Sequence, residues 1–297
     1  MVSITGVRPR IADIYSLPRR GSHWRITRPA AARQALEIAV VWDLYFCNGT
    51  VPPECDTLSE APQSKKTMLD IDRIKAITLD LDDTLWPIWP TIQRAEQALS
   101  HWLSPRAPGA AAVFADPKAR LALRQQVVQN RPELGHDLSA IRLESIRSAL
   151  HLSQEDTKLA EPAFDVFFAE RMQVELFDDV VPALTALSLR VPLIAVSNGN
   201  AHVARVGLGQ YFAHSLSASE FGVAKPDARI FHAAAEAAGV PSTAVLHVGD
   251  DAALDVLGAL GAGMQTVWVN RCQHSWTHTE QPHHTVENLS QLAAMFE

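Results

Sequence analysis

The stretch ITLDLDDTLW, residues 77–86, places three carboxylates at the end of a run of residues suited to burial. Apolar residues lead up to Asp80, and leucines are interleaved with Asp82 and Asp83. Charged groups beside a buried strand are costly unless they are paired or bind a metal. The stretch therefore indicates a buried strand whose end carries a functional site.

Short apolar runs typical of strands recur from residue 74 onward and alternate with helical patterns. The predicted strands are 74–80, 191–197, 216–218, 244–249 and 266–269, and helical patterns lie at 227–238 and 252–260. This alternation predicts an α/β fold, a Rossmann-like parallel sheet with helices on both faces. In such sheets a ligand binds beyond the carboxyl ends of the strands.

A long helical segment separates the first two predicted strands. Helical periodicity is found at 92–103, 121–128, 141–150 and 164–175. The segment is too long to be one crossover connection and too helical to be a loop. We predict a helical cap domain, 87–190, inserted after strand one and lying over the mouth of the sheet, with 68–86 and 191–297 forming the core domain.

The first 67 residues differ in character from the rest. They begin with an arginine-rich stretch and end in a polar, turn-rich stretch at 48–66. Met68 follows directly. We interpret 1–67 as an N-terminal extension that is disordered or not part of the natural protein. The alternative is a basic arm that binds a partner.

Composition limits the class of protein. A chain of 297 residues that is 47% hydrophobic can bury a full core, and its net charge of -7 argues against a nucleic-acid-binding protein. Its three cysteines form no CxxC pair, so neither a disulfide framework nor a zinc ribbon is indicated, and a cytoplasmic protein is predicted. No run approaches the roughly 20 apolar residues of a membrane span. The oligomeric state stays open.

Polar residues follow several of the predicted strands. Asp80 ends the first, Ser197 and Asn198 end the second, and Asp250 follows the fourth. Because parallel strands end at one edge, these residues should converge there together with Asp82. Clustered carboxylates repel one another, and oxygen ligands without histidine or cysteine suit Mg²⁺. We therefore predict a Mg²⁺ site next to a phosphate site.

Lys225 precedes the helical pattern at 227–238. A lysine at this edge can neutralise a phosphoryl group and hold a nucleophilic carboxylate ionised.

Four short motifs occur in order: DLDDTL at 80–85, SNG at 197–199, Lys225-Pro226, and GDDAALD at 249–255. Together they resemble the signatures of the haloacid dehalogenase superfamily of phosphotransferases. The resemblance implies that Asp80 attacks phosphorus and becomes an aspartyl-phosphate. It implies that Asp82 protonates the leaving oxygen and later deprotonates water.

The resemblance also implies the remaining site residues. Mg²⁺ would be held by Asp80, the main-chain carbonyl of Asp82, and Asp250. Ser197 and the amide of Asn198 would bind phosphoryl oxygens, and Lys225 would balance charge. Asp255 would orient that lysine or a metal-bound water, and Thr84 would brace the loop that holds Asp82. Asp83 is interpreted as a surface or helix-capping carboxylate.

Asp82 distinguishes two reactions of the superfamily. Its dehalogenases lack an acid at this position, because a halide leaves without a proton. An aspartate here therefore favours phosphate-ester hydrolysis.

A closer resemblance runs from residue 74 to the C terminus. The phrases VSNGNA, LHVGDD and RPELGHDLSAIRLESIRSAL are similar to those of the bacterial phosphatases of riboflavin biosynthesis, which act on 5-amino-6-(5-phospho-D-ribitylamino)uracil. It implies a small phosphorylated metabolite as substrate, with this riboflavin-pathway intermediate as the first candidate. The alternatives are a broad sugar-phosphate or nucleotide phosphatase and a non-catalytic protein that binds a phosphorylated ligand.

Several residues outside the motifs have two interpretations. Arg142 and Arg147 either contact the substrate or belong to a solvated helix surface. His136 either contacts the substrate or caps or packs locally. Trp86 and Trp89 either stack on a planar ring or fill the space between domains. The histidines near the C terminus are interpreted as loop residues rather than metal ligands, since their spacing is irregular; these are His274, His278, His283 and His284.

Overall fold

A computed structural model describes residues 68–297, so the predicted extension 1–67 lies outside the described residues. It contains a six-stranded sheet in which every neighbouring pair is parallel, in the order β3-β2-β1-β4-β5-β6. The predicted α/β class is confirmed. The strands are β1 Ala76–Leu79, β2 Leu193–Ser197, β3 His214–Ser217, β4 Val245–Gly249, β5 Gln265–Val269 and β6 His284–Val286.

Helices connect the strands. They are α1 Ile88–Leu103, α2 Pro108–Ala115, α3 Pro117–Asn130, α4 Leu138–Leu152, α5 Ala160–Arg171, α6 Val180–Ser188, α7 Ala218–Phe221, α8 Ala228–Ala237, the π-helix Ala252–Leu257, α9 Gly258–Gly261 and α10 Leu289–Ala294. Among the described residues, no helix is long and apolar enough to cross a membrane.

The sheet is buried on both faces. In β2, Leu193 and Ala195 belong to one apolar cluster, whereas Ile194 and Val196 belong to another. Successive side chains of a strand point to opposite faces, so each strand supplies both layers of the core. The central strand β1, with all four residues buried, pairs with β2 and β4. Its end is therefore held rigidly at the centre of the sheet edge.

The five helices α1–α5, residues 88–171, form the segment that we call the helical insertion. Their apolar side chains pack into a cluster of their own, which includes Leu99, Phe114, Ile146 and Phe167. Helix α6 instead packs on the sheet, in the apolar cluster that contains Leu193 and Ala195. The predicted limits of the cap, 87–190, stay a prediction, and the packing of α6 on the sheet favours an earlier end.

Sequence patterns missed several elements. Strand β6 was not predicted because its three residues, two of them polar, lie at the sheet edge. Helix α2 is too rich in alanine to show an apolar stripe. Helix α6 was missed because its nine residues include valine, proline and threonine, which have low helix propensity. Strand β1 ends at Leu79, so Asp80 is the first residue after the strand rather than its last.

Candidate active site

The predicted convergence of carboxylates is found at the carboxyl edge of the central strands. Asp80 follows β1 and Asp250 follows β4, and the main chain joins the two strand ends, since the Asp80 amide donates to the Val248 carbonyl at 2.9 Å. Oxygen atoms of Asp80, Asp250 and Asp255 all lie within 4.8 Å of one another. Three acidic groups thus share one small volume.

Lys225 lies in the middle of this acidic group. Its Nζ donates to Asp80 Oδ1, and also to Asp255 Oδ1 at 2.6 Å. Only 2% of the residue is exposed. The side chain of Asn198 fixes its backbone, because Oδ1 accepts from the Lys225 amide at 2.8 Å and Nδ2 donates to its carbonyl at 3.0 Å. The lysine is therefore held firmly against the carboxylates.

Burial and charge shift the ionisation of these groups in opposite directions. Burial outweighs the attraction of Lys225 and raises the pKa of Asp80 to about 8. Burial and the neighbouring carboxylates also raise the pKa of Asp250. Burial disfavours the charged form of Asp255 as well, but Lys225 and His247 outweigh it and hold its pKa well below the usual range. Asp255 is therefore the ionised carboxylate that pairs with Lys225. The charged forms of Asp80 and Asp250 are disfavoured, because the positive charge near them does not offset their burial.

A buried histidine of β4 contacts the Asp255 carboxylate. His247 Nε2 lies 3.1 Å from Asp255 Oδ1, and its Nδ1 lies 2.8 Å from Thr78 Oγ1. The Asp251 amide donates to the other oxygen, Oδ2, at 3.0 Å. Gly249 makes room, since a Cβ there would lie 2.3 Å from the Asp255 carboxyl carbon. A polar residue inside the apolar run of β4 was the sequence signal for His247.

The donor set fits a hard divalent cation. Asp80 and Asp250 offer carboxylate oxygens that are crowded and undercompensated, and no nitrogen or sulfur ligand intervenes. Oxygen ligands of this kind suit Mg²⁺. Asp255 offers a third carboxylate, but both of its oxygens already accept hydrogen bonds, Oδ1 from Lys225 and Oδ2 from the Asp251 amide. We therefore regard Asp80 and Asp250 as the carboxylate ligands of a candidate Mg²⁺ site.

Asp82 lies beside this site and is held by two donors that the sequence did not reveal. Arg171 Nη2 lies 2.7 Å from both carboxylate oxygens, and Trp86 Nε1 donates to Oδ1 at 2.8 Å. Arg171 is only 1% exposed, and its Nε also donates to Asn200 at 3.1 Å. No local pattern could identify it, because it lies 89 residues from Asp82 at the end of α5.

The contacts of Trp86 decide between its two interpretations. Its ring is fully buried, and it packs in the same apolar cluster as Leu193 and Ala195 of β2. It therefore fills the core and positions Asp82 rather than stacking on a ligand. Trp89 is 39% exposed and lines the cavity described below.

The phosphate-binding residues predicted from the sequence lie around the same edge. Ser197 is buried, and its Oγ accepts from the Gly199 amide at 2.9 Å. Gly199 allows a close approach, since a Cβ there would lie 2.3 Å from Asp82 Oδ2. Thr84 donates to Asp250 Oδ1 at 3.0 Å, so its hydroxyl contacts a metal-site carboxylate as well as lying in the loop of Asp82.

Asp83 lies in the turn that directly follows Asp82. Its φ of 59° lies in the left-handed region, which aspartate and asparagine tolerate better than most residues. Its Oδ1 accepts from the Ile88 amide at the start of α1, at 3.0 Å. This contact agrees with the helix-capping interpretation.

A cavity of about 460 Å³ extends from the catalytic edge into the helical insertion. At the catalytic end it is lined by Asp82, Arg171, Gly199 and Asn200. The insertion contributes apolar and charged residues; these include Ile92, Phe114, Phe167, Glu96, Arg120 and Arg142. The space next to the candidate acid is thus shaped by the helices between the first two strands.

The other singled-out residues lie elsewhere. Arg147 pairs with Glu144 and Glu161 on the insertion surface, outside the lining of this cavity. His283 lies in the bend just before β6 and accepts from the Thr266 amide at 3.1 Å, whereas His284 is the first residue of β6 rather than a loop residue. Within residues 68–297, the one cluster suited to a metal is the aspartate group.

The family model of haloacid dehalogenase-like hydrolases matches residues 74–263, more than half of the chain. This chain belongs to that family. The matched residues include Asp80 and Asp82, which follow β1, as well as Lys225, Asp250 and Asp255. The resemblance predicted from the four motifs is confirmed.

Two curated relatives of this haloacid dehalogenase-like hydrolase are phosphatases. The 5-amino-6-(5-phospho-D-ribitylamino)uracil phosphatase YigB of Escherichia coli strain K12 is 34% identical over 233 residues, which cover 76% of this chain and 97% of the relative. The phosphoserine phosphatase of Thermus thermophilus is 29% identical over 227 residues, which cover 67% and 89%. The hydrolase is a phosphatase, as predicted.

One similar solved structure is named for a reaction other than phosphate-ester hydrolysis. The crystal structure of 2-haloacid dehalogenase from Pseudomonas syringae pv. Tomato DC3000 superposes with a TM-score of 0.71 at 37% identity, and the match covers 75% of this chain and 98% of that one. The fold is therefore common to proteins named for two reactions, and the site residues must distinguish them.

Proposed function

We propose that this hydrolase removes phosphate from 5-amino-6-(5-phospho-D-ribitylamino)uracil, through an aspartyl-phosphate on Asp80 and with Mg²⁺ as cofactor. The observation that carries the proposal is the juxtaposition of Asp80, Lys225 and Asp82 at one sheet edge, beside a cavity of about 460 Å³. A nucleophile, a charge-balancing lysine and an acid are the parts that phosphate-ester hydrolysis requires.

In the first half of the reaction, a carboxylate oxygen of Asp80 attacks phosphorus, and the bond from phosphorus to the leaving oxygen breaks. Asp82 gives its proton to that oxygen, so the leaving group departs as an alcohol. The side chain of Ser197 and the amide of Asn198 bind the phosphoryl oxygens. Lys225 faces the developing negative charge, and its raised pKa keeps it protonated.

In the second half, water attacks the phosphorus of the aspartyl-phosphate. Asp82, now ionised, takes a proton from that water, and the bond between phosphorus and the Asp80 oxygen breaks. Inorganic phosphate leaves, and both aspartates return to their starting states.

Mg²⁺ would be held by Asp80, the main-chain carbonyl of Asp82, and Asp250. When bound, it supplies the positive charge that allows the carboxylates and the phosphate dianion to come together. The raised pKa values of Asp80 and Asp250 support this assignment, because burial and the neighbouring carboxylates disfavour their charged forms and a bound cation would offset both.

Mg²⁺ at 10 mM is expected to raise the melting temperature of the protein by a few degrees, as a millimolar or tighter ligand of the folded state would. The shift should shrink from pH 8 to pH 6. Protons compete with the cation for Asp80, whose pKa is raised to about 8. Differential scanning calorimetry in buffers with and without Mg²⁺ measures both effects.

The matched variants are Asp250→Asn, which should lose the shift, and Asp251→Asn, which should keep it. Asp251 lies next in the chain, but its Oδ1 caps the π-helix by accepting from the Ala253 and Leu254 amides, and asparagine retains that acceptor. An equal shift in both variants would contradict the assignment of Asp250.

The choice of substrate rests on YigB, a relative whose length this chain almost completely covers. The test is phosphate release from a panel of substrates at equal concentration: the ribitylaminouracil phosphate, flavin mononucleotide, phosphoserine and sugar phosphates. We expect kcat/KM to be highest for the ribitylaminouracil phosphate by at least about tenfold. Equal values across the panel would favour a broad phosphatase, and no turnover of any substrate would favour a non-catalytic binding protein.

Haloacid dehalogenation is the second candidate, favoured by the name of the solved relative. A halide leaves without a proton, so Asp82 would have no role as an acid in that reaction. Chloride release from 2-chloropropionate should therefore be undetectable under conditions in which phosphate esters are hydrolysed.

A further inference from the structure

A buried glutamate in the helical insertion has one carboxylate oxygen without a partner. Glu96 lies on α1 and lines the cavity, with 8% of its side chain exposed. Its Oε1 is 2.7 Å from Arg142 Nη2 and 3.4 Å from Arg120 Nε. Its Oε2 has no hydrogen-bond partner among residues 68–297. Leaving such an oxygen buried and unsatisfied is costly, so its retention needs an explanation.

The charges around Glu96 limit what could satisfy it. Both arginines are already engaged with Oε1, and Arg142 is further fixed with its guanidinium 4.4 Å above the ring of Phe167. A second phosphate or carboxylate would meet the free Oε2 and be repelled. A group with an N–H or O–H would instead donate to Oε2, and an adjacent carbonyl could accept from the remaining guanidinium N–H groups.

The position of Glu96 separates it from the reacting atoms. The cavity begins at Asp82 and Arg171, and Glu96 lies eight residues beyond the first residue of α1, Ile88, which corresponds to about 12 Å along the helix. A ligand that reaches both ends must be elongated. The apolar walls, including Ile92 and Phe114, suit a flat ring at the far end.

We propose that Glu96, together with Arg120 and Arg142, binds the far end of an elongated leaving group: a heterocyclic ring that presents an N–H next to a carbonyl. The inference rests on the proposed function, because the aminouracil ring has this alternation of donors and carbonyls and the ribityl chain spans the distance to the phosphate. It makes Glu96 a specificity-determining residue that does not take part in bond breaking.

The test compares two substrates that differ only in the ring. Ribitol 5-phosphate has the same chain and phosphate as the ribitylaminouracil phosphate but lacks the heterocycle. In wild-type protein we expect kcat/KM to favour the ring-bearing substrate. In Glu96→Gln we expect that preference to fall by about 10- to 100-fold, the size of a lost hydrogen bond to a charged group. Glu161→Gln, which alters an exposed glutamate paired with Arg147, is the matched control and should keep the wild-type preference.

The outcomes separate the two proposals. A wild-type protein that shows no preference for the ring contradicts the proposed substrate. A wild-type preference that persists in Glu96→Gln overturns the role of Glu96 and leaves the proposed substrate intact. Equal losses on both substrates also overturn that role, because they would show that Glu96 only stabilises the insertion.

Discussion

Asp80→Asn is expected to lower kcat by at least about four orders of magnitude on every phosphate ester, with little change in the fold. An amide is a poor nucleophile, so no covalent intermediate can form at this position. The melting temperature without Mg²⁺ should not fall, since burial already disfavours the charged form of Asp80 and raises its pKa to about 8. Steady-state phosphate release and calorimetry measure the two effects.

Asp83→Asn is the matched control for this variant. It makes the same chemical change three residues further along the loop, at a side chain that accepts from the Ile88 amide, which asparagine can also do. Asparagine also tolerates the positive φ of this position. We expect its activity to stay within a few-fold of wild type. Comparable losses in both variants would mean that the loop as a whole, rather than Asp80, is being perturbed.

Asp82→Asn is expected to produce losses that depend on the leaving group. For ribitol 5-phosphate, whose alcohol needs a proton to leave, kcat should fall by about 10²- to 10⁴-fold. With p-nitrophenyl phosphate the first step should survive, because p-nitrophenolate leaves without a proton. The second step should be slow, since it needs Asp82 as a base. Rapid mixing should therefore show a stoichiometric burst of nitrophenolate followed by slow turnover.

The burst distinguishes the proposed role from a structural one. Asp82 is held by Arg171 and Trp86, so its replacement also disturbs packing near the site. A general distortion would slow both substrates equally and give no burst. That result would sink the assignment of Asp82 as acid and base, even if the total loss of activity were large.

The sequence predicted the catalytic edge well because its residues are tied to strand ends. Asp80, Ser197 and Asp250 each follow a short apolar run, and parallel strands bring such positions together without knowledge of any side-chain contact. Because all four residues of β1 are buried, the strand holds Asp80 in a fixed position at its end.

Residues whose contacts depend on the packing of the helical insertion were not predictable in this way. Arg171 is 89 residues from Asp82, and Glu96 contacts Arg142 from a different helix. Both depend on how the helical insertion packs, which periodicity does not determine. Strand β6 was missed for a related reason, since an edge strand of three residues has little apolar signal of its own.

The ion pair between Arg171 and Asp82 has a consequence for changing what this protein acts on. The arginine comes from the last residue of α5, and the aspartate comes from the loop after β1. A chimera that exchanged the whole insertion for that of another phosphatase would therefore gain new contacts with the leaving group. It would also lose Arg171, which holds the proton donor Asp82. New specificities are better sought by redesigning individual residues of the cavity wall, with the end of α5 retained as part of the chemical machinery.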